Sequence, residues 1–171
     1  DIFSANGFPG DNAELAMDVQ SRQTNTVFLN LGGGRFRMVA LPGRALHRGA
    51  ALGDFNRDGR LDIVATRLNE SPIVLLNVTE TGNHWLRVRL RGLKSNRDAL
   101  GARVRAVTDS GSQWNRVTSS VGYAGSSEPV VHFGLGRERT ARILEIEWPS
   151  GRTQRLENLE ANQFLEIEEP N

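Results

Sequence analysis

The chain repeats itself. "DIFSAN" (1–6) followed by "TVFLNL" (26–31) matches "DIVATR" (62–67) followed by "IVLLNV" (73–78), which sets Asp1 against Asp62. Self-similarity of this kind restricts a fold to units that bury their faces against neighbouring units. Between the copies lie "RFRMVA" and "RGAALGDF", flanked by "LGGG" and "LPGRALH"; both are strand-length and bounded by turn residues. Four short strands in a repeat of roughly 45 residues is the spacing of a propeller blade, not of a helical solenoid. The first copy carries an extra segment, "GFPGDNAELAMDVQ", read as a surface insertion in which "AELAMDVQ" makes one or two helical turns.

Beyond Thr79 the texture changes. After the polar connector "TETGN" come seven β-type segments, "HWLRVRL", "ARVRAVTD", "QWNRVTSS", "PVVHFGL", "ILEIEWP", "TQRLENL" and "QFLEIEE", separated by turn signals such as Asp109-Ser110-Gly111. Seven strands in this length predict a compact β-sandwich. The fold class is therefore all-β, a partial propeller over residues 1–80 followed by a sandwich over 81–171. Leu86, Val88 and Leu90 alternate with Arg87, Arg89 and Arg91, so one face of that strand is buried and the other wet. "GARVRAV" repeats the pattern with Arg103 and Arg105, and "LEIEW" and "FLEIEE" repeat it with Glu145, Glu147, Glu166 and Glu168. Like charges facing each other weaken a sheet, so arginine strands should lie beside glutamate strands.

Charge and composition exclude several classes. In 171 residues, 21 basic and 20 acidic side chains leave a net charge of +1, and Lys94 is the only lysine. No overall field draws the protein to nucleic acid or a membrane surface, and no apolar run reaches membrane-spanning length. With no cysteine, neither a disulfide framework nor a thiolate metal site is available.

The segment "GDFNRDGRLDIVAT" (53–66) concentrates oxygen donors. Asp54, Asn56 and Asp58 occupy positions 1, 3 and 5 of a loop, Gly59 permits the bend, Arg60 offers its backbone carbonyl at position 7, and Asp62 a carboxylate at position 9. Hard oxygen ligands in this order suit Ca²⁺ and give sulfur- or nitrogen-preferring metals little. An EF-hand would need a glutamate at position 12, where Ala65 stands, and helices where the flanks read as strands. The alternative is an Asp-Gly hairpin turn whose acids are merely solvated, but a turn needs only two of these residues.

"RGAALGDFNRDGRLDIVAT" resembles the calcium-loop repeat of integrin-type propellers, the FG-GAP or VCBS class. "GNHWLRVRLRGLKSNRDALGARVRA", "VVHFGLG" and "EIEWPSGRTQRLENLEANQFLEI" resemble the ASPIC/UnbV domain that follows such repeats in secreted proteins of the cartilage acidic protein type. The resemblance implies an extracellular or cell-surface, non-enzymatic, calcium-stabilised module of structure or adhesion. A closed propeller needs several blades and little more than one is here. Asp1 aligns with the last ligand position of the loop, so upstream blades or other protein chains, in a homo-oligomer or a fibre, are expected to complete the sheet.

Other chemistry has weaker support. His47, His84 and His132 lie in no recognisable triad spacing, and "GYAGSSEP" lacks a nucleophile elbow. "LGGGRF" has no following Lys-Ser or Lys-Thr and reads as a strand connector. The polar loop "KSNRDALGAR" (94–103), with Tyr123, could line a sugar or peptide site, though a loop held by Asn and Asp turns explains it as well. Trp85, Trp114 and Trp148 could serve as glycan platforms, which makes a carbohydrate-binding module the alternative function; Trp148 shares alternation with Leu144 and Ile146 and is expected in the core. Asn69-Glu70-Ser71 and Asn77-Val78-Thr79 match glycosylation sequons.

Overall fold

A computed structural model describes residues 1–10, 12–15 and 17–171. It is all-β, with thirteen strands and no α-helix among the described residues. No helix among them is long and apolar enough to cross a membrane. The chain divides into two compact units, one of residues 1–52, 62–76 and 121–126, the other of residues 53–61, 77–120 and 127–171.

The first unit contains two blade-like sheets. β1 (Ile2–Ser4), β2 (Thr26–Asn30) and β3 (Phe36–Ala40) form an antiparallel sheet in that order, with Phe3 opposite Val27 and Val27 opposite Val39. β4 (His47–Gly53), β5 (Asp62–Arg67) and β6 (Glu70–Leu75) form the second. The sequence repeat has a structural counterpart: β1 pairs with β2 as β5 pairs with β6, antiparallel in both cases. The four-stranded blade expected from the spacing is not formed. "RGAALGDF" leads directly into the 54–61 loop and sits beside β5, so this strand opens the second sheet instead of closing the first.

The insertion makes a single 3₁₀ turn, Ala13–Leu15; Asp11 and Ala16, within the expected insertion, lie outside the described residues. Glu14 closes it by accepting hydrogen bonds from the Ser21 hydroxyl and backbone N–H, which hold its carboxyl below the usual carboxylate range. Apolar burial in this unit is thin. Among the described residues, its buried apolar ones are Ala13, Ala45, Leu46 and Ala65, while every residue of β3 is exposed, with Phe36 at 47% and Met38 at 66%.

The second unit holds the seven strands that the β-type segments and turn signals predict: β7 (His84–Arg91), β8 (Arg103–Thr108), β9 (Gly111–Arg116), β10 (Val130–Gly136), β11 (Thr140–Glu147), β12 (Thr153–Glu160) and β13 (Gln163–Glu168). They form two sheets, ordered β10-β7-β13 and β12-β11-β8-β9. Leu86, Val88 and Leu90 from β7, Val131 and Phe133 from β10, Val104 from β8, and Leu144 and Ile146 from β11 meet in one core. Each such side chain contributes roughly 1.5–3 kcal/mol by leaving water. Trp148 joins them as expected, its indole Nε1 donating to Gln154 Oε1 at 3.1 Å.

On the charged faces, arginines do oppose glutamates. Arg105 lies across from Glu145 and Arg103 from Glu147 on adjacent antiparallel strands, with ion pairs of 3.2 Å in both cases. Arg89 is level with Glu166 on the parallel β7–β13 pair, also at 3.2 Å.

Candidate metal centre

A loop rich in carboxylates folds only if its own backbone amides, or nearby cations, offset the charge. Residues 54–60 use both. Asp54 Oδ1 accepts from the Asp58 N–H and Oδ2 from the Gly59 N–H, each at 3.0 Å, so the loop curls around this first side chain. The Asp58 carboxylate in turn accepts from the Arg60 N–H at 2.8 Å and from the Asn56 amide at 2.6 Å. These bonds lower the Asp58 pKa, the Arg60 N–H contributing most, and its burial opposes them.

Gly59 is required here on two counts. Its φ of +85° lies in the left-handed region, and a Cβ would fall 1.9 Å from the indole of Trp85. Arg57, at φ +61°, takes a second left-handed position in the same bend.

Two arginines reach the acids. The guanidinium of Arg87 lies 2.8 Å from Asp54 Oδ2, where the arginine and aspartate side chains are 7% and 0% exposed, and its other arm meets Glu128. Arg87 is thus buried, although alternation placed it on the wet face of β7. Its partners stand 33 and 41 residues away, so no local pattern could have revealed them. Arg60 pairs with Asp58 and donates through Nε to the Asn77 carbonyl at 2.6 Å.

Asp54, Asn56, Asp58 and Arg60 belong to the second unit, whereas Asp62 begins β5 in the first and is fully buried. Among the described residues, no three or more His, Asp or Glu side chains cluster at metal-holding distance. The donor chemistry nevertheless suits a hard cation. Each carboxylate oxygen has room for more than one partner, and an amide rotation would exchange the Asn56 nitrogen for its oxygen. The Arg60 guanidinium and Asn56 amide now on Asp58 are the groups a metal would displace.

The remaining candidates are structural in their contacts. His132 Nδ1 is buried without a hydrogen-bond partner. Burial, and then the Arg87 charge, depress its pKa to about 4, against a smaller opposing pull from Asp54. His47 contacts the Asn6 carbonyl through Nδ1 at 3.1 Å, and His84 contacts the Asn162 amide at 2.8 Å. In the 94–103 loop, the Asn96 side chain bonds both the N–H and the carbonyl of Leu100, while Tyr123 belongs to the other unit.

One polar site has no clear signal in the sequence. Glu169, 1% exposed, accepts from the backbone N–H groups of Leu93, Lys94 and Ser95 at 2.8, 2.8 and 2.7 Å and from the hydroxyls of Ser95 and Ser150. Burial pushes its carboxyl upward, but the bonds from the Ser150 hydroxyl and the three amides prevail and bring it to about 2.

A family model described as FG-GAP-like repeat matches residues 1–65, and one described as ASPIC and UnbV matches residues 92–171. Relatives include cartilage acidic protein 1 of Xenopus tropicalis, 37% identical over 129 residues, or 71% of this chain and 20% of the relative. The Mus musculus protein of that name is 35% identical over 138 residues, 74% of this chain and 21% of its own. The Homo sapiens protein is 34% identical over 138 residues, covering 74% and 20%. The chain spans about a fifth of the length of the curated relatives it matches. Matches in this order, with the strands and loop that carry them, make the chain an FG-GAP-like repeat region followed by an ASPIC and UnbV domain.

Proposed function

We propose that the chain is a non-catalytic structural or adhesion module of the cell exterior, stabilised by one Ca²⁺ in the 54–62 loop. Residues 1–80 serve as the repeat region and 81–171 as the C-terminal domain. Asp54, Asn56, Asp58, the Arg60 carbonyl and Asp62 are the ligands, completed by water. The observation that carries this reading is the wrapping of the Asp58 and Gly59 N–H groups onto Asp54, which already bends a run of hard oxygen donors into a loop. Bound calcium would supply positive charge among these carboxylates and let Arg60 swing free. The extracellular placing is supported by relatives named for cartilage, a name that refers to a tissue and a composition and not to a reaction.

Association with other protein chains belongs to the same reading, because the open face and edge of β3 expose Phe36 and Met38. The partner is another copy, as a homo-oligomer or fibre, or further blades of the same kind.

The test is thermal melting of the wild type and of Asp58→Ala, in millimolar calcium and in chelator. Calcium at about 10⁻⁴ to 10⁻³ M should raise the wild-type melting temperature, as in other extracellular modules. The substitution should remove that rise and change little in chelator. Equal melting of the wild type with and without calcium would end the proposal.

A further inference from the structure

Of the three tryptophans, Trp148 is buried in the core and Trp85 is packed against Gly59. Trp114, on β9, is 49% exposed. The guanidinium carbons of Arg103 and Arg105 lie 4.8 and 5.6 Å from its ring centroid. Both arginines come from the neighbouring β8 and lie over the ring, and about half of the tryptophan still faces solvent.

Arg105 stands opposite Trp114, and the next pair on the same face of the ladder is Arg103 opposite Arg116. Two like charges directly opposed are unfavourable. Arg103 is relieved by Glu147 at 3.2 Å, but Arg116 has no ion-pair partner among the described residues. Arg103, Trp114, Asn115 and Arg116 together line a shallow depression of about 380 Å³ that is largely open to solvent. An aromatic surface, an uncompensated cation and a flanking carboxylate therefore share one exposed place.

We propose that this cleft is a subsite for an acidic sugar residue. The C–H face of the pyranose lies on the indole, its carboxylate or sulfate pairs with Arg116, and a ring hydroxyl donates to Glu147. The assignment is independent of the calcium loop.

Two other occupants fit less well. A nucleic acid strand would find one exposed aromatic ring at this cleft, where successive bases need several. An extended peptide added to β9 would need its outer edge. Gln113 and Asn115 instead span from that strand to the Gly134 and His132 carbonyls of β10 at 2.6 and 3.2 Å, so that edge is already bridged.

The experiment titrates the whole chain with an oligogalacturonate, a heparin-derived hexasaccharide, neutral maltohexaose and a single-stranded oligonucleotide. Binding is read by calorimetry and amide chemical shifts. Binding of at least one acidic oligosaccharide, with shifts centred on residues 111–116, and none of maltohexaose is expected; the two acidic probes separate carboxylate from sulfate recognition. Trp114→Ala should weaken that binding about tenfold and Trp114→Phe much less, consistent with a stacking contact. Arg116→Gln should weaken it by a similar factor and flatten its salt dependence. Failure of both acidic probes to bind, equal affinity for maltohexaose, preference for the oligonucleotide, or shifts centred elsewhere would overturn the proposal. So would acidic binding that survives Trp114→Ala in a folded variant, since that is a charged patch without a platform.

Discussion

The two units are built from the same kind of strand and reach opposite balances of burial. In the second, sixteen buried apolar residues form one cluster between two sheets. In the first, the buried apolar residues among those described are three alanines and one leucine, while Phe36, Met38, Val39 and Val74 stand exposed. A sandwich closes its own core; a blade depends on what stacks against it. Strand content alone therefore says little about whether a β region is self-sufficient.

The strongest way to break this comparison is a matched pair of truncations. Phe133→Ala should cost about 3–5 kcal/mol in urea unfolding, the range for a large core side chain. Phe36→Ala, at an exposed edge, should cost under about 0.5 kcal/mol. A large loss at Phe36 would mean that β3 is covered in solution by another chain, and sedimentation at micromolar concentration would then show an assembly. A well-folded monomer would count against the proposed homo-oligomer.

A second substitution asks whether the 53–61 loop shares the stability of the sandwich unit. Gly59→Ala places a side chain at φ +85° and against Trp85, which should cost about 1–3 kcal/mol and alter tryptophan fluorescence. Unchanged stability and emission would detach the loop from that unit.

Acid sharpens the comparison further. The folded pKa of Glu169, about 2, lies below its ordinary value of 4.5, so its contribution is complete above about pH 4.5 and is lost as pH falls towards 2. Glu169→Gln should flatten the stability profile of the sandwich in that window. Persistence of the full acid dependence in the variant would assign it to other groups.

The smallest effect is expected on the charged face. A double-mutant cycle of Arg103→Gln and Glu147→Gln should give a coupling of roughly 0.2–1 kcal/mol, because both side chains are largely exposed. A coupling above that range would show that the face is shielded from water.

What was legible in the sequence was whatever depends on short-range periodicity. β-type segments and turn signals placed the seven sandwich strands, alternation called for arginine strands beside glutamate strands, which the Arg103–Glu147 and Arg105–Glu145 pairs meet, and it put Trp148 in the core. What escaped depends on contacts between distant segments. Arg87 reads as one more solvated arginine until Asp54 and Glu128 are brought to it. Glu169 looks like the tail of an exposed acidic strand, and nothing in "EIEEP" points to the amides of residues 93–95. In the loop, donor types and order were readable, but the reach of the Arg60 and Arg87 guanidiniums to Asp58 and Asp54 was not.

The placing of β13 has a consequence in time. It is the last strand of the sandwich and pairs in parallel with β7, the first, which thereby becomes the centre strand of its sheet. Glu169 follows immediately and fastens the segment after β7. During synthesis, β7 leaves the ribosome early and waits, with one edge open, until nearly the whole domain has been translated. Antiparallel neighbours such as β8 and β9 can pair as soon as both emerge. The final folding step is thus tied to the end of translation of this domain, and the interval before it is when the β7 edge is open to the wrong strand.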